Sequence, residues 1–148
     1  MYSHILVPTD GSELSINAAH QAIDLAKLCK AKISVIMVSP TYHQMNEEGF
    51  IAPTINTLRE RWEETMTQRA TKVLDGICAD AAKAGVECKS LHVFGGAPYE
   101  SIIDAANQNG CDMIAMGSHG HGGVKQFFVG SETTRVLSHT KIPVVVYR

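Results

Sequence analysis

The sequence has 148 residues, of which 45% are hydrophobic and 19% are charged, a composition that suits one soluble domain with a sizeable core. A formal net charge of −2 argues against nucleic acid or an anionic membrane surface as the main partner, and no apolar run approaches membrane-spanning length. Residues 1–4 lead directly into a predicted strand without the apolar segment of a signal peptide, so we expect a cytoplasmic protein.

Buried strands and amphipathic helices alternate along the chain. Short apolar runs predict five strands, at residues 4–7, 32–39, 86–94, 112–116 and 144–147. Helical periodicity predicts four helices. The first follows the capping residue Ser12, the second spans 54–84, the third begins near Pro98 and the fourth begins at Ser131. The polar segment 40–53 is predicted to be a loop or a flap. With no linker and no repeat, this alternation predicts a single domain over residues 1–148, an α/β fold with a doubly wound, five-stranded parallel sheet and four helices.

The longest predicted helix carries an apolar stripe at helical spacing. The stripe consists of Leu58, Trp62, Met66, Ala70, Val73, Ile77 and Ala81. Gly85 is a plausible end for this helix, because glycine readily takes up the left-handed conformation that terminates helices.

A glycine-rich segment lies between the fourth predicted strand and the last helix. Four glycines lie between Gly117 and Gly123, and Gly130 precedes Ser131, the predicted N-cap. Such a cluster indicates positive φ angles or a close approach of the backbone to a ligand. Backbone N–H groups and the positive end of a helix dipole favour a phosphate site here. A mobile surface loop that binds nothing is the alternative, although the apolar residues 127–129 favour an anchored loop.

The spacing Gly117-x2-Gly120-x9-Gly130-Ser131 resembles the nucleotide-binding motif of the universal stress protein family, in the branch that binds ATP. Segments 5–12, 95–98 and 142–146 extend the resemblance over nearly the whole chain, whereas Walker and dinucleotide-binding motifs are absent. The resemblance implies the strand order 3-2-1-4-5. In such sheets ligands bind where the strand order reverses. Asp10 and the glycine-rich segment both follow strands that meet at that point.

On this resemblance we expect an adenine nucleotide, ATP or AMP, with Mg²⁺ as a candidate partner of its phosphates. Backbone N–H groups are expected to bind the phosphates, with the Ser131 hydroxyl adding a contact; they belong to Gly117, His119, Gly120, Gly130 and Ser131. Asp10 is expected to accept two ribose hydroxyls, the alternative being an ordinary turn residue before Gly11. An apolar slot for adenine is expected from Pro8, Thr9, Met37, Val38 and Met116. For Met37 and Met116, plain core packing is an equal alternative.

The charged and titratable residues in and beside the glycine-rich segment bear on phosphate and metal binding. His119 stands where family members often carry arginine, and because a histidine is only partly protonated near neutral pH, phosphate affinity should strengthen in mild acid. Lys125 is either a phosphate partner or a solvated residue. Glu132 departs from the small or apolar residue usual in the family, and its carboxylate would repel phosphates unless it points outward or a magnesium ion intervenes. His119 and His121 alone would form a weak metal site, so no metal is predicted there.

The predicted activity is binding, as a nucleotide-dependent switch or sensor in the stress response, which the resemblance implies. Hydrolysis would need groups that position water and neutralise the transferred phosphoryl group, and we find neither a Walker-type lysine nor a dedicated arginine finger. No catalytic residue is therefore assigned. A slow ATPase, or a self-phosphorylating enzyme that uses Ser131 or another loop hydroxyl, is the alternative.

The last predicted strand is apolar and lies at a sheet edge, where an uncovered strand invites pairing with another chain. The family forms dimers through this strand, so the resemblance implies a homodimer through Val144, Val145 and Val146. The expected partners are thus an adenine nucleotide and a second copy of the chain.

The four cysteines, Cys29, Cys78, Cys88 and Cys111, form no Cys-x-x-Cys pair. Most of them lie in apolar helix and strand patterns, where a reduced cysteine acts as a small core residue. Free thiols are therefore favoured over a disulfide or a zinc site.

Overall fold

The computed structural model of the chain describes residues 1–42, 52–120 and 129–148, with the side chains of 52–55 excepted. The strands are β1 (His4–Pro8), β2 (Lys32–Ser39), β3 (Cys88–Phe94), β4 (Met113–Gly117) and β5 (Val144–Tyr147). The helices are α1 (Glu13–Cys29), α2 (Ala52–Lys83), α3 (Pro98–Gln108) and α4 (Ser131–His139). Most of the predicted loop 40–53 lies outside the described residues. None of the helices in the described part of the chain is both long and apolar enough to cross a lipid bilayer.

The five strands pair in parallel in the order β3-β2-β1-β4-β5, which confirms the predicted doubly wound sheet. Two separate apolar clusters cover its faces. One packs α1 and α2 against the sheet, and the other packs α3 and α4 against the opposite face. Because the strand order reverses at β1, the carboxyl ends of β1 and β4 open onto a shared crevice between these layers.

The central strands are buried on both faces. Every residue of β1 and β4 is buried, as are all but two residues of β2, which accounts for their nearly continuous apolar sequences. The half-exposed β3 is an edge strand, in line with the alternation of its sequence.

Helix α1 begins and ends with defined caps. The Ser12 side chain accepts a hydrogen bond from Ser15 N–H, as predicted, and so satisfies one of the amides that lack a helical partner. Lys30 ends the helix in the left-handed conformation, with φ of 56°.

Helix α2 is longer than the sheet that it covers. Its 32 residues extend over about 48 Å, whereas the eight residues of β2 reach only about 26 Å. The predicted apolar stripe is consequently buried only in the second half of the helix, where Ala70, Ile77 and Ala81 enter the core. In the first half, Leu58 remains 42% exposed.

Two cysteines are bonded, which corrects the prediction of free thiols. Cys78 near the end of α2 and Cys88 at the start of β3 form a disulfide, with Cα atoms 5.3 Å apart. Both pack beside the same apolar cluster, because the turn at Gly85 brings the end of α2 back to the first residue of the edge strand. Cys29 and Cys111 are free, and burial raises the pKa of the Cys111 thiol to about 11.

Polar contacts join the amino ends of β1 and β4. The Asp112 carboxylate accepts hydrogen bonds from the backbone N–H groups of Ser3 and His4. The ring of His4 is itself buried, and its Nε2 atom lies 2.8 Å from Ser34 Oγ on β2. Burial, followed by the charge of Lys32, lowers the pKa of His4.

Candidate functional site

A cavity of about 380 Å³ opens at the carboxyl ends of β1 and β4. Its described lining comes from three strands, from α1, α3 and α4, and from the segments that follow β1 and β4. The lining residues are Pro8, Thr9, Asp10, Ser15, Ile36, Val38, Pro98, Ile102, Met116, Gly117, His119, Gly120, Gly130, Ser131, Glu132 and Thr133. Eleven of the twelve predicted site residues are among them, so the structure brings together almost the whole predicted set.

The turn after β1 fixes the position of Asp10. Thr9 N–H donates to the carbonyl of Ile36, at 2.9 Å, so pairing with β2 continues one residue beyond β1. Asp10 Oδ1 then accepts the N–H of Ser12, at 3.0 Å, in a turn that also needs the positive φ of Gly11. The carboxylate of Asp10 is therefore held at the mouth of the cavity by its own turn.

Asp10 lies against the backbone of Gly120. A Cβ atom placed on Gly120 would overlap Asp10 Oδ2, so only glycine fits at this position without displacing the carboxylate. The two residues are separated by 110 positions in the chain, yet they form adjacent walls of the cavity. This contact provides the reason for glycine at this position of the motif.

The two ends of the glycine-rich segment are hydrogen-bonded to each other. Gly130 N–H donates to the carbonyl of Ser118 at 2.7 Å, and Thr133 Oγ1 donates to the carbonyl of Gly117 at 3.0 Å. A Cβ on Gly130 would lie only 3.0 Å from the Ser118 oxygen. The predicted role of the Gly130 amide as a phosphate donor is thus wrong in this structure, because that N–H is engaged within the protein.

Helix α4 directs its first amides toward the cavity. Its N-cap is Gly130 and Ser131 is the first helical residue, which corrects the prediction of Ser131 as the cap. The first helical hydrogen bond runs from Thr134 N–H to the Gly130 carbonyl, at 3.0 Å. The amides of Ser131, Glu132 and Thr133 precede that bond and so have no acceptor within the helix. All three residues line the cavity, where these amides and the helix dipole favour an anion.

Apolar side chains form the opposite side of the cavity. They belong to Pro8, Ile36, Val38, Pro98, Ile102 and Met116. Met37 is absent from this set: it is 5% exposed and packs in the other apolar cluster, beneath α1 and α2. For Met37 the structure supports core packing, the equal alternative, because successive residues of a strand point to opposite faces and Ile36 rather than Met37 shares the face of Val38.

Sequence reasoning also missed other parts of the lining. Ser15, Pro98, Ile102 and Thr133 were not assigned to the site, although all line the cavity. Pro98 and Ile102 are four residues apart on α3, a spacing that places two side chains on one helix face and could have indicated them. Nothing in the sequence pattern indicates Ser15 or Thr133.

Glu132 connects the amino ends of two helices. Its Oε2 atom accepts a hydrogen bond from Tyr99 N–H, and its Oε1 atom lies near Arg135 Nη1, both at 3.0 Å. The N-cap of α3 is Ala97, which has no side chain able to accept a hydrogen bond. Glu132 therefore provides from α4 the acceptor that the first turn of α3 lacks.

His119 lies at the rim of the cavity. Its Nδ1 atom is 3.0 Å from Ser118 Oγ, and its ring passes close to Gly130. Among the described residues, no three His, Cys, Asp or Glu side chains come together as metal ligands. The predictions for His121 and Lys125 fall on residues outside the described ranges.

Comparison with known proteins relates the whole chain to one family. A sequence model described as "Universal stress protein family" matches residues 1–148. Universal stress protein MJ0531 of Methanocaldococcus jannaschii is 28% identical over 148 residues, which cover 100% of this chain and 83% of that relative. The solved structure of protein MJ0577 superposes with a TM-score of 0.82 at 27% identity, over 99% of this chain and 95% of that chain. A universal stress protein solved in complex with cAMP has the same fold, with a TM-score of 0.71 at 20% identity over 99% of this chain and 97% of that one.

Proposed function

Because the chain belongs to the universal stress protein family, we propose that it binds an adenine nucleotide in the cavity and acts as a nucleotide-dependent switch or sensor in the stress response. The observation that carries the proposal is that the Asp10–Gly120 contact and the first turn of α4, whose amides have no acceptor within the helix, line the same cavity. A ligand with a sugar and an anionic tail matches both features. The structural relative solved with cAMP supports the proposal, since it shows that this fold can hold an adenine nucleotide.

The parts of the cavity suit the parts of a nucleotide. We assign the ribose hydroxyls to the Asp10 carboxylate, since a carboxylate accepts hydrogen bonds and repels phosphate. The phosphate is assigned to the amides of Ser131, Glu132 and Thr133, and the base to the apolar side formed by Ile36 and its neighbours. A volume of about 380 Å³ falls in the range of about 300–1,000 Å³ typical of small-molecule sites.

We favour binding over catalysis because the described lining contains no lysine or arginine to neutralise a transferred phosphoryl group. We propose that Mg²⁺, when present, binds to the phosphates of the nucleotide, and that the protein forms the cavity around them. Slow ATP hydrolysis, or self-phosphorylation of Ser131 or another loop hydroxyl, is the competing outcome, and turnover of labelled ATP at a rate that Gly120→Val abolishes would favour it.

Isothermal titration calorimetry with AMP, ADP, ATP and GTP tests the proposal, with and without Mg²⁺. We expect heat with the adenine nucleotides and a loss of affinity in Asp10→Asn, which keeps the size of the side chain but weakens it as an acceptor. Asp104→Asn is the matched control, because Asp104 is an exposed residue of α3 that does not line the cavity. The absence of heat with every adenine nucleotide would refute the proposal.

His119 provides a further test of the same site. It lines the cavity and its ring lies close to Gly130, so we propose it as a contact of the phosphates. His119→Ala should then weaken nucleotide binding, and an unchanged affinity would contradict this role.

We further propose a homodimer through the outer edge of β5. The carbonyls of Pro143 and Tyr147 accept hydrogen bonds from Ile114 N–H in β4 and from Ser118 N–H directly after it. Because the bonding direction alternates along a strand, the backbone groups of Val144 and Val146 point away from the sheet. Val146→Pro removes one of these outward N–H groups and should shift the protein to monomers on a sizing column, whereas Val146→Thr should not. A wild-type protein that is already monomeric at micromolar concentration would refute the dimer.

The cytoplasmic location remains a prediction.

A further inference from the structure

We propose that Glu132 makes the cavity selective for nucleotides that carry a single phosphate, so that AMP binds more tightly than ATP. The inference rests on the proposed function and concerns the charge of the ligand that the site accepts. It follows from where the structure fixes the Glu132 carboxylate and from the absence of lysine and arginine from the described lining of the cavity.

The carboxylate of Glu132 is anchored, and Glu132 is one of the residues that line the cavity. Two donors hold it, the backbone N–H of Tyr99 and the guanidinium of Arg135, each at 3.0 Å. Turning the carboxylate outward would break both contacts and leave the first turn of α3 without its acceptor. The negative charge is therefore a fixed feature of the cavity wall.

Arg135 compensates this charge from behind. The ion pair is partly exposed to solvent, since the Arg135 side chain is 55% exposed and the Glu132 side chain 36%. Arg135 therefore neutralises the Glu132 carboxylate only in part. The Arg135 guanidinium lies over the ring of Tyr99, 5.8 Å from its centre, and does not line the cavity. Glu132 thus borders the cavity directly, whereas Arg135 does not.

The described lining offers no full positive charge from lysine or arginine against that negative charge. The Gly130 amide is already bonded to Ser118, so the first turn of α4, with roughly half an elementary charge, remains as an anion site beside His119 and Gly120. The described lining contains two carboxylates, Asp10 and Glu132, and no lysine or arginine. One phosphate can use the helix amides, whereas each additional phosphate brings more negative charge toward Glu132.

The test is a comparison of dissociation constants for AMP, ADP and ATP in EDTA, measured by calorimetry for the wild type and for Glu132→Gln. Glutamine keeps an oxygen that can accept the Tyr99 N–H, so the anchor at α3 is retained while the charge is removed. The wild type should bind AMP about tenfold more tightly than ATP. In Glu132→Gln the ATP affinity should rise roughly tenfold, about 1.4 kcal/mol, and the AMP affinity only two- to threefold.

Glu100→Gln is the matched control. Glu100 is an exposed carboxylate of the same neighbourhood, bonded to the hydroxyl of Tyr99, but it does not line the cavity. The ratio of ATP to AMP affinity should not change in this variant. Raising the salt concentration should narrow the wild-type preference, since mobile ions screen the carboxylate.

The outcomes separate the two proposals. If both nucleotides bind and Glu132→Gln leaves their affinity ratio unchanged, the charge inference is overturned and the binding function stands. If no adenine nucleotide binds to either protein, both fall. Glu132→Val is a second variant that removes the charge, by introducing an apolar residue of the kind usual in the family at this position. It should change the ratio of ATP to AMP affinity in the same way as Glu132→Gln. Thermal melting shows whether each variant is folded.

Discussion

Replacing Gly120 by alanine should weaken nucleotide binding through Asp10. The new Cβ would overlap Asp10 Oδ2, so the carboxylate must rotate away from the cavity wall. Rotation also breaks the 3.0 Å hydrogen bond that Asp10 Oδ1 accepts from Ser12 N–H. The ligand would then lose a charged acceptor for its sugar hydroxyls.

The size of the effect follows from the contact that is lost. A hydrogen bond to a charged group contributes about 1.5–3 kcal/mol, which corresponds to a dissociation constant about 10- to 150-fold larger. Folding should be less affected, because the overlap involves an intermediate-exposure side chain at the cavity mouth rather than the apolar core.

A double-mutant cycle measured by calorimetry tests this reasoning. If Gly120→Ala acts by displacing Asp10, the double variant with Asp10→Asn should bind about as weakly as the weaker single variant. Gly96→Ala is the control, since no atom lies within 4 Å of a Cβ placed there. Wild-type affinity in Gly120→Ala, or additive losses in the double variant, would refute the mechanism.

Three further predictions concern stability. Cys78→Ser opens a disulfide of sequence separation 10 and should lower the free energy of unfolding in urea by roughly 2–3 kcal/mol; reducing agent should have the same effect on the wild type and none on the variant. Because burial lowers the pKa of His4 from 6.5, the unfolded chain takes up this proton first as the pH falls, so stability should decline below about pH 6.5. His4→Gln should flatten that decline and His20→Gln, at an exposed site, should not. Gly76→Ala should raise the unfolding free energy by about 0.5–1 kcal/mol, since the site is exposed within α2 and a methyl group meets no atom within 4 Å; a lower urea midpoint would contradict this.

The fold was largely predictable because its core strands carry an unmistakable apolar signal. The bounds of β2 match the prediction at both ends, since a mainly apolar run, interrupted by Ser34, lies between Lys32 and Ser39. Strand order came from the resemblance, as periodicity carries no information on which strands are neighbours. The burial of α2 was overestimated because an apolar stripe shows which face packs, but not where the sheet beneath it ends.

The chain segments that form the site were predictable, but the individual contacts between their atoms were less so. The motif placed Asp10 and Gly120 at one crevice, and the structure brings them into contact. The engagement of the Gly130 amide by Ser118 and the capping of α3 by Glu132 depend on tertiary packing, which no local pattern records. The same holds for the Cys78–Cys88 bond, whose partners meet only after the chain turns at Gly85.

The short hydrogen bond between Gly130 and Ser118 joins the end of one sheet strand to the start of the last helix. Ser118 directly follows β4 and Gly130 caps α4, so this bond holds the first amides of the helix beside the carboxyl end of the strand. A substitution that breaks the bond would therefore move the amides that line the cavity relative to the sheet that carries its other residues.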